Sequence, residues 1–580
     1  MRRLLAAAGA ITLAASLTAC TGGTTSDDGQ GASKDSATVA FRTPNWILPI
    51  SAPGFTQGEN AIFTQAQYRP LYAYKLDGSA QYNIDARRSL AEAPVVSNGG
   101  KTLTITLKDN KWSDGTPLTT KDVQFWFELV SANKDKWASY RKGGFPDNVT
   151  KWSVTNDKTL VLTTTTAYNT AWFVDNQLNR ITPLPAHAWD KEGQASKPEG
   201  AKKVFATLTA AAKDPKTYDS NPLWKTNSGP WKLARYVPNG EVTLAAQPTY
   251  TGADKPKLAT VVLRPFTGDD AEFNVLRAGQ IDYGYVPAAN VSQKSYLESK
   301  GYRVAPWYGW SITYLQLNYH NPRSGALFKQ PYLRQAMQML IDQPSISKVI
   351  WSDTAAPTCG PVPPKPGTTG ATGCAYTFDP AAAKQLLETH GWKVTPDGQT
   401  TCQAAAQCGE GVTAGQALTF TVTSQTGFAA TTKMFAEIKS QMAKLGITLD
   451  IKEVPDSVAV TPACKPADAT CTWDMSFFGS QGSWYYPAFA SGERLFATDA
   501  PVNLGSYSNP EADRLIDATQ FAAGDGASEL TAYNDFLAKD LPVLWMPNPV
   551  YQTSAYRSGL QGVEPQDPMN AMYFQDWSWK

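Results

Sequence analysis

The chain has 580 residues, 42% hydrophobic and 18% charged. At that length a single hydrophobic core divides, so two to four domains are expected. The 52 Lys and Arg nearly match the 51 Asp and Glu, and a net charge of +1 gives no electrostatic case for nucleic acid, where a basic face is expected.

The first element is an export signal. Arg2 and Arg3 precede LLAAAGAITLAASLT, an apolar run too short for a comfortable bilayer span. The run closes on LTAC. With Leu17 three residues before Cys20 and small Ala19 beside it, this resembles the bacterial lipobox. That resemblance implies a Cys20 acylated with diacylglycerol and a cut just before it. A plain secretory peptide with an incidental Cys is the alternative. The polar tract TGGTTSDDGQGASKDSA then reads as a flexible tether. No Tat pattern follows the twin arginine, so the export route stays open.

Beyond the tether, TVAFRTPNWILP reads as a strand and a Pro-flanked turn. TLTITL alternates with period two, SDGTP supplies turn chemistry, and Thr119 with Asp122 forms a variant capping box. The helix that follows puts Val123, Trp126, Phe127 and Val130 on one face. NGGKT has part of a phosphate loop, but Val95 stands where a glycine is needed, so a hairpin turn is expected. Asn239-Gly240 joins two alternating strands over 228–250. A strand ATVVLRPF leads to a short helix opened by Asp269, with Glu272 as its capping partner and Gly279 as its stop, and then to the strand IDYGYV. A second region repeats this logic. ITYLQLNY precedes a helix carrying Leu333, Met337, Leu340 and Ile341, Asp379-Pro380 opens another that Gly391 stops, and LTFTVTS, a helix and ITLDIKEV form a βαβ run. LPVLWMPNPVYQTSAY is an apolar extended segment near the C-terminus. The order points to two α/β lobes, with both termini in the first.

Six further cysteines fall in three neighbouring pairs: Cys359 with Cys374, Cys402 with Cys408, and Cys464 with Cys471. Fifteen pairings are possible, and the nearest-neighbour set is the hypothesis taken. For the longest loop the chain-entropy gain is about 3 kcal/mol. No spacing is C-x-x-C and no His clusters with them, so disulfides in an oxidising compartment are expected rather than zinc.

Several blocks in order resemble a known family. KWSDGTPLTTKDVQFWFE is the first, and NSGPWKL with YTGADKPKLATVVLRPF and LRAGQIDYG is the second. YLQLNYHNPRSGALFKQPYLRQAMQMLIDQPSI is the third, and LGITLDI with WDMSFFGSQGSWYYPAFA the fourth. Together they resemble the extracellular solute-binding proteins of bacterial ABC importers, family 5, which includes oligopeptide and dipeptide binders. The resemblance implies an α/β, two-lobe periplasmic-binding-protein-like fold of type II with an extra subdomain inserted in lobe 1. It further implies a signal peptide at 1–19, the lipidated Cys and tether at 20–37, and lobe 1 core at 38–65 and 225–312. The inserted subdomain is placed at 66–224, lobe 2 at 313–544, and a lobe 1 return at 545–580. Crossings between lobes are expected near Ser311 to Tyr314 and Leu541 to Met546.

The implied function is a non-enzymatic receptor that closes over a peptide or peptide-like solute and delivers it to an ABC permease with its ATPase. A lipid on Cys20 would anchor it to the outer face of the cytoplasmic membrane, as a monomer without cofactor or metal. In peptide-binding members an acidic residue pairs with the ligand's free amino terminus, and here that position is Ser483. A basic residue found nearby in some members matches Phe477. Ser483 hydrogen-bonds but cannot neutralise an ammonium, whose unpaired burial is costly. A neutral, flat or blocked ligand such as an oligosaccharide is therefore an alternative. Candidate contacts are Trp484 and Tyr485 beside Ser483, Asn45 and Trp46 after the first strand, Tyr308 and Trp310 before the crossing, and Gln425 and Phe428 after LTFTVTS. For each aromatic the competing role is core packing.

An exported hydrolase is the rival class. His187, His320 and His390 are scattered without an HExxH pattern, there is no GxSxG turn, and nothing points to paired carboxylates. An adhesive surface lipoprotein, which would bind no small ligand, is the third.

Overall fold

The structure is a computed structural model, and it describes residues 35–77, 81–367, 374–455, 459, 472–477 and 483–580, with Ser483–Tyr485 described as backbone only. The signal segment, Cys20, most of the tether, Cys464 and Cys471 lie outside the described residues.

Period-two alternation builds the first sheet. Ser36–Ala40 and Thr260–Arg264 bury every second residue and pair in parallel, Val39 opposite Leu263. Among the described residues the sheet runs, in spatial order, Tyr302–Trp307, Gln552–Arg557, Tyr283–Tyr285, Ser36–Ala40, Thr260–Arg264, Val242–Ala246 and Trp231–Tyr236. The last two strands are the hairpin expected at Asn239-Gly240, and Asn239 takes the left-handed conformation, φ 57°. A register shift between Leu233 and Arg235 kinks it. The expected capping pair after Thr260–Arg264 does not form. The helix Asp269–Arg277 has no side-chain cap. Instead Asp269 accepts from the Tyr285 hydroxyl (3.1 Å) and buried Glu272 accepts from the Tyr285 amide (3.0 Å), because the neighbouring strand offers donors that the helix end would otherwise supply.

Residues 95–164 carry a four-stranded antiparallel sheet ordered Val95–Ser97, Thr102–Thr106, Thr159–Thr164, Val149–Val154. NGGKT is its first hairpin turn, with Gly99 and Gly100 at φ 60° and 91°. The helix Thr120–Ala132 opens with the capping box read from sequence, the Thr119 amide donating to Asp122 at 2.8 Å. Val123, Trp126 and Val130 are fully buried. Phe127 is only half-buried and stacks on Trp152 at 4.2 Å, while Phe125 and Leu129 take the core positions.

Among the described residues the second lobe is built on a six-stranded sheet. Thr448–Val454, Thr419–Gln425, Met475–Ser476, Ser311–Leu317 and Ser483–Tyr485 lie side by side, with Val543–Trp545 also on Ser311–Leu317. Thr419–Gln425 and Thr448–Val454 are parallel and joined by the helix Ala429–Ala443, the expected βαβ unit. Leu333, Met337, Leu340 and Ile341 are buried in this lobe's own core. Asp379 caps the helix Pro380–Thr389 through the Ala382 amide. Disulfides Cys359–Cys374 and Cys402–Cys408 are both present.

The C-terminal apolar segment is not one extended piece. It is split among Val543–Trp545 in the second sheet, the short Asn548–Pro549, and Gln552–Arg557 in the first. The chain thus passes from sheet to sheet over 308–310 and back over 546–551. No helix among the described residues is long and apolar enough to cross a membrane.

Candidate ligand-binding cleft

The passages over 308–310 and 546–551 join the two sheets, and the candidate walls are the loops and helix ends beside them. On the first wall, the loop after Ser36–Ala40 is held from three sides. The Tyr218 hydroxyl donates to the Asn45 carbonyl (3.0 Å), the Tyr236 hydroxyl donates to the Pro44 carbonyl, and buried Asn60 clasps Asn45. The Asn60 Oδ1 accepts from the Asn45 and Trp46 amides (2.8 and 3.1 Å) while its Nδ2 donates to Asn45 Oδ1 at 2.9 Å. Fixing this loop leaves Asn45 exposed and drives Trp46 inward. Trp46 is 2% exposed, its indole N–H donates to the Ile50 carbonyl (3.0 Å), and its ring stacks on Phe55. Of that expected pair, Trp46 is therefore core and Asn45 alone reaches the surface.

Arg42 was not anticipated. Its guanidinium lies over the Phe428 ring at 5.0 Å, joining the first wall to the second, and Glu59 Oε1 stands 3.9 Å from its Nε. Phe428 precedes the first turn of Ala429–Ala443 and is half-buried. An added Cβ on Gly268 would lie 3.9 Å from the Gly427 carbonyl, so the walls touch beside this stack. Burial raises the carboxyl pKa of Asp269, one residue on, against a lowering by Arg42. Burial likewise pushes Glu272 up to about 8, and the Tyr285 amide opposes it. The Ser352 hydroxyl donates to the Ala288 carbonyl at 2.9 Å, a further contact between the walls. Gln425 is buried at the end of its strand, opposite Val454.

At the first passage Tyr308 is 42% exposed, and Trp310 is half-buried. The Trp310 indole N–H donates to the Pro487 carbonyl (3.0 Å), its carbonyl accepts from the Tyr486 amide (2.9 Å), and its amide donates to the Pro568 carbonyl (2.7 Å). Trp310 thereby ties the segment after Ser483 to the C-terminal return. Ser483, Trp484 and Tyr485 form a strand, antiparallel to Ser311–Thr313 with Ile312 opposite Trp484. They stand at the end of the strand order, with one backbone edge unpaired among the described residues. The side chains of Ser483, Trp484 and Tyr485 lie outside what is described. Phe477, at the position of a basic residue in some relatives, is buried against Phe435.

None of the histidines stands on a cleft wall. His187 meets Asp114 at 2.8 Å, His390 stacks on Tyr332, and burial lowers the pKa of His320 with help from Lys329. Local sequence carried no signal for Arg42 or Asn60, whose partners are remote or buried. Asn169 is different. Its place just before the helix Thr170–Asn176 is a cap signal, and its side chain also reaches the Ala522 and Gly524 carbonyls (2.8 and 3.0 Å).

Residues 86–500 match the family model described as bacterial extracellular solute-binding proteins, family 5 middle. The oligopeptide-binding protein OppA of Bacillus subtilis (strain 168) is 24% identical over 318 residues, 50% of this chain and 51% of that protein. The match thus spans about half the length of that curated relative, as it does of the Brucella relatives. The solved structure of the oligopeptide-binding protein AppA from Bacillus subtilis with a nonapeptide superposes with a TM-score of 0.74 at 20% identity, over 94% of this chain and 99% of that one. NikZ from Campylobacter jejuni with Ni(L-His) gives 0.71 at 17% identity, over 94% and 100%. Both likenesses are of fold, two α/β lobes.

Proposed function

The chain belongs to the bacterial extracellular solute-binding proteins of family 5, and on that premise we propose that it is the receptor of an ABC importer, capturing a peptide or peptide-like solute between its lobes and passing it unaltered to a permease. The observation that carries the peptide reading is the strand Ser483–Tyr485, which among the described residues pairs on one side only, with Ser311–Thr313. An extended ligand backbone adds to such an edge by main-chain hydrogen bonds, and side chains are sorted by the pockets beside it. Tyr308, Trp310 and Phe428 supply partly exposed aromatic surface, Asn45 supplies an exposed amide, buried Gln425 does not, and Arg42 and Asp269 stand as charged groups of the first wall. Ligand contacts to both walls favour closure through their greater affinity for the closed state.

Ser483 in place of an acid favours a second reading, a neutral ligand such as an oligosaccharide in the same transport role. Mass spectrometry of the compound that co-purifies, followed by calorimetry with it, separates the two. A peptide is expected, and methylating its backbone nitrogens is expected to weaken binding at least about tenfold. A glycan in the eluate, with no heat from any peptide, overturns the peptide reading. Turnover of the bound compound overturns the non-enzymatic role. Cys20 is proposed as the lipid anchor to the outer face of the cytoplasmic membrane, so Cys20→Ser should release the protein, and persistent membrane attachment refutes it.

A further inference from the structure

A second cavity, of about 230 Å³, lies between residues 137–180 and residues 493–521. None of its lining residues is among the cleft contacts above. One side is an aromatic shelf: Tyr168 is stacked between Trp172 (5.3 Å) and Phe521 (5.1 Å), and Phe521 is half exposed. The other side is charged. Arg180 and Arg494 both line it, with Glu493 beside them. Arg180 spends its Nε on the Asn176 carbonyl (3.3 Å), while its Nη2 is buried without a hydrogen-bond partner. Arg494 Nη2 donates to the Ala138 carbonyl at 3.2 Å.

Glu493 acts on both arginines, opposing the fall that burial causes in their pKa values, while its two oxygens also hold hydrogen bonds of their own. One accepts from Asn176 Nδ2 at 3.2 Å and the other from the Ser491 hydroxyl. The preceding residue holds it there. Gly492 has φ 75°, and a Cβ at that position would fall 1.9 Å from the Tyr533 hydroxyl, so no other residue fits. Two more cations, Arg141 and Lys142, face the cavity, and Asp517 is the remaining acid, 3.7 Å from Arg141. Positive charge is in excess. Burial, and then the nearby Arg180, pulls the Arg494 pKa down to about 9, a sign that two guanidinium groups share a desolvated space.

We propose that this cavity is a binding site for an organic carboxylate with an aromatic or aliphatic body, its carboxylate received by Arg180 and Arg494 and its body laid along Tyr168 and Phe521. A carboxylate satisfies the orphaned Nη2 and offsets the repulsion between the guanidinium groups, in the bidentate geometry that arginine favours. The site rests on its own residues and stands whether or not the cleft takes a peptide.

The test is calorimetry of the exported protein with N-acetyl-phenylalanine and, as neutral isostere, N-acetyl-phenylalanine amide. The acid is expected to bind at least tenfold more tightly than the amide. Arg180→Gln should erase that preference and Arg180→Lys should keep part of it. Phe521→Ala, at an exposed position that leaves folding intact, should weaken acid and amide together while the preference for the acid persists. Equal affinities for the two probes, binding of neither at millimolar concentration, or an undiminished preference in a folded Arg180→Gln protein would each overturn the proposal.

Discussion

Asp175 is buried on the helix Thr170–Asn176, where its Oδ2 accepts from Asn83 Nδ2 at 3.1 Å and its Oδ1 has no partner. Burial pushes its pKa from 3.8 up to about 8, with the Asn83 hydrogen bond opposing. Between those values the folded protein holds a proton that the unfolded chain releases. The cost of Asp175 is absent below the unfolded pKa, grows as pH rises, and is complete above about 8. Asn resembles the protonated acid, so Asp175→Asn should stabilise at pH 8, with a ceiling on the order of 5 kcal/mol, and should converge with the parent near pH 4. Denaturant midpoints at several pH values check this, and parallel curves for the two proteins would contradict it. Arg42 acts at the same scale. Removing its contact with Phe428 should weaken the association of the two lobes in this structure by about 0.5–1 kcal/mol. Scattering from ligand-free Arg42→Ala should then show a larger radius of gyration than the parent.

At the scale of elements, the capping box of Thr120–Ala132 divides its work unequally. The Thr119 side chain serves amides of its own helix's first turn, whereas Asp122 accepts from the Thr119 amide and also from Ala186 at 3.2 Å, tying the helix to the start of the helix Ala186–Trp189. Thr119→Ala should cost about 1 kcal/mol. Asp122→Ala orphans two amides and should cost about 2–3 kcal/mol. Equal losses in urea unfolding would show that the Ala186 contact contributes nothing. The box, the Asp379 cap, the Asn239 turn and the βαβ run were legible because each is a relation among residues a few positions apart. The expected cap at Asp269 failed for a reason no local pattern holds: Tyr285, brought alongside by sheet pairing, competes for both carboxylates. Phe127 fits the same helical face as Val123, yet Trp152 covers it from a strand that helical periodicity does not foresee.

At the scale of the molecule, the start of the helix Thr170–Asn176 is joined to residues 520–524. Asn169 receives the Trp172 amide (2.9 Å), donates from its side chain to the Ala522 and Gly524 carbonyls, and donates its own amide to Gln520 (2.7 Å). Asn169→Ala removes a helix cap and an interface anchor at once, for about 2 kcal/mol. Hydrogen exchange should quicken in 516–524 as well as in 170–176. A change confined to 170–176 would reduce Asn169 to a cap. Of the proposed cleft set, Trp310 and Phe428 are drawn into contacts between parts of the fold, and Trp46 is withdrawn into a core.

The sequence by itself determined the two-lobe α/β class, the family, most strand and helix positions, and the two local disulfides, because alternation, capping and block order are properties of neighbouring residues. Only the tertiary structure decided which aromatics face out, that Ser483–Tyr485 pairs with Ser311–Thr313, that Arg42 meets Phe428, and that Arg180 and Arg494 share one cavity. Those outcomes depend on how two separately packed surfaces meet, and no stretch of chain contains both sides of such a contact.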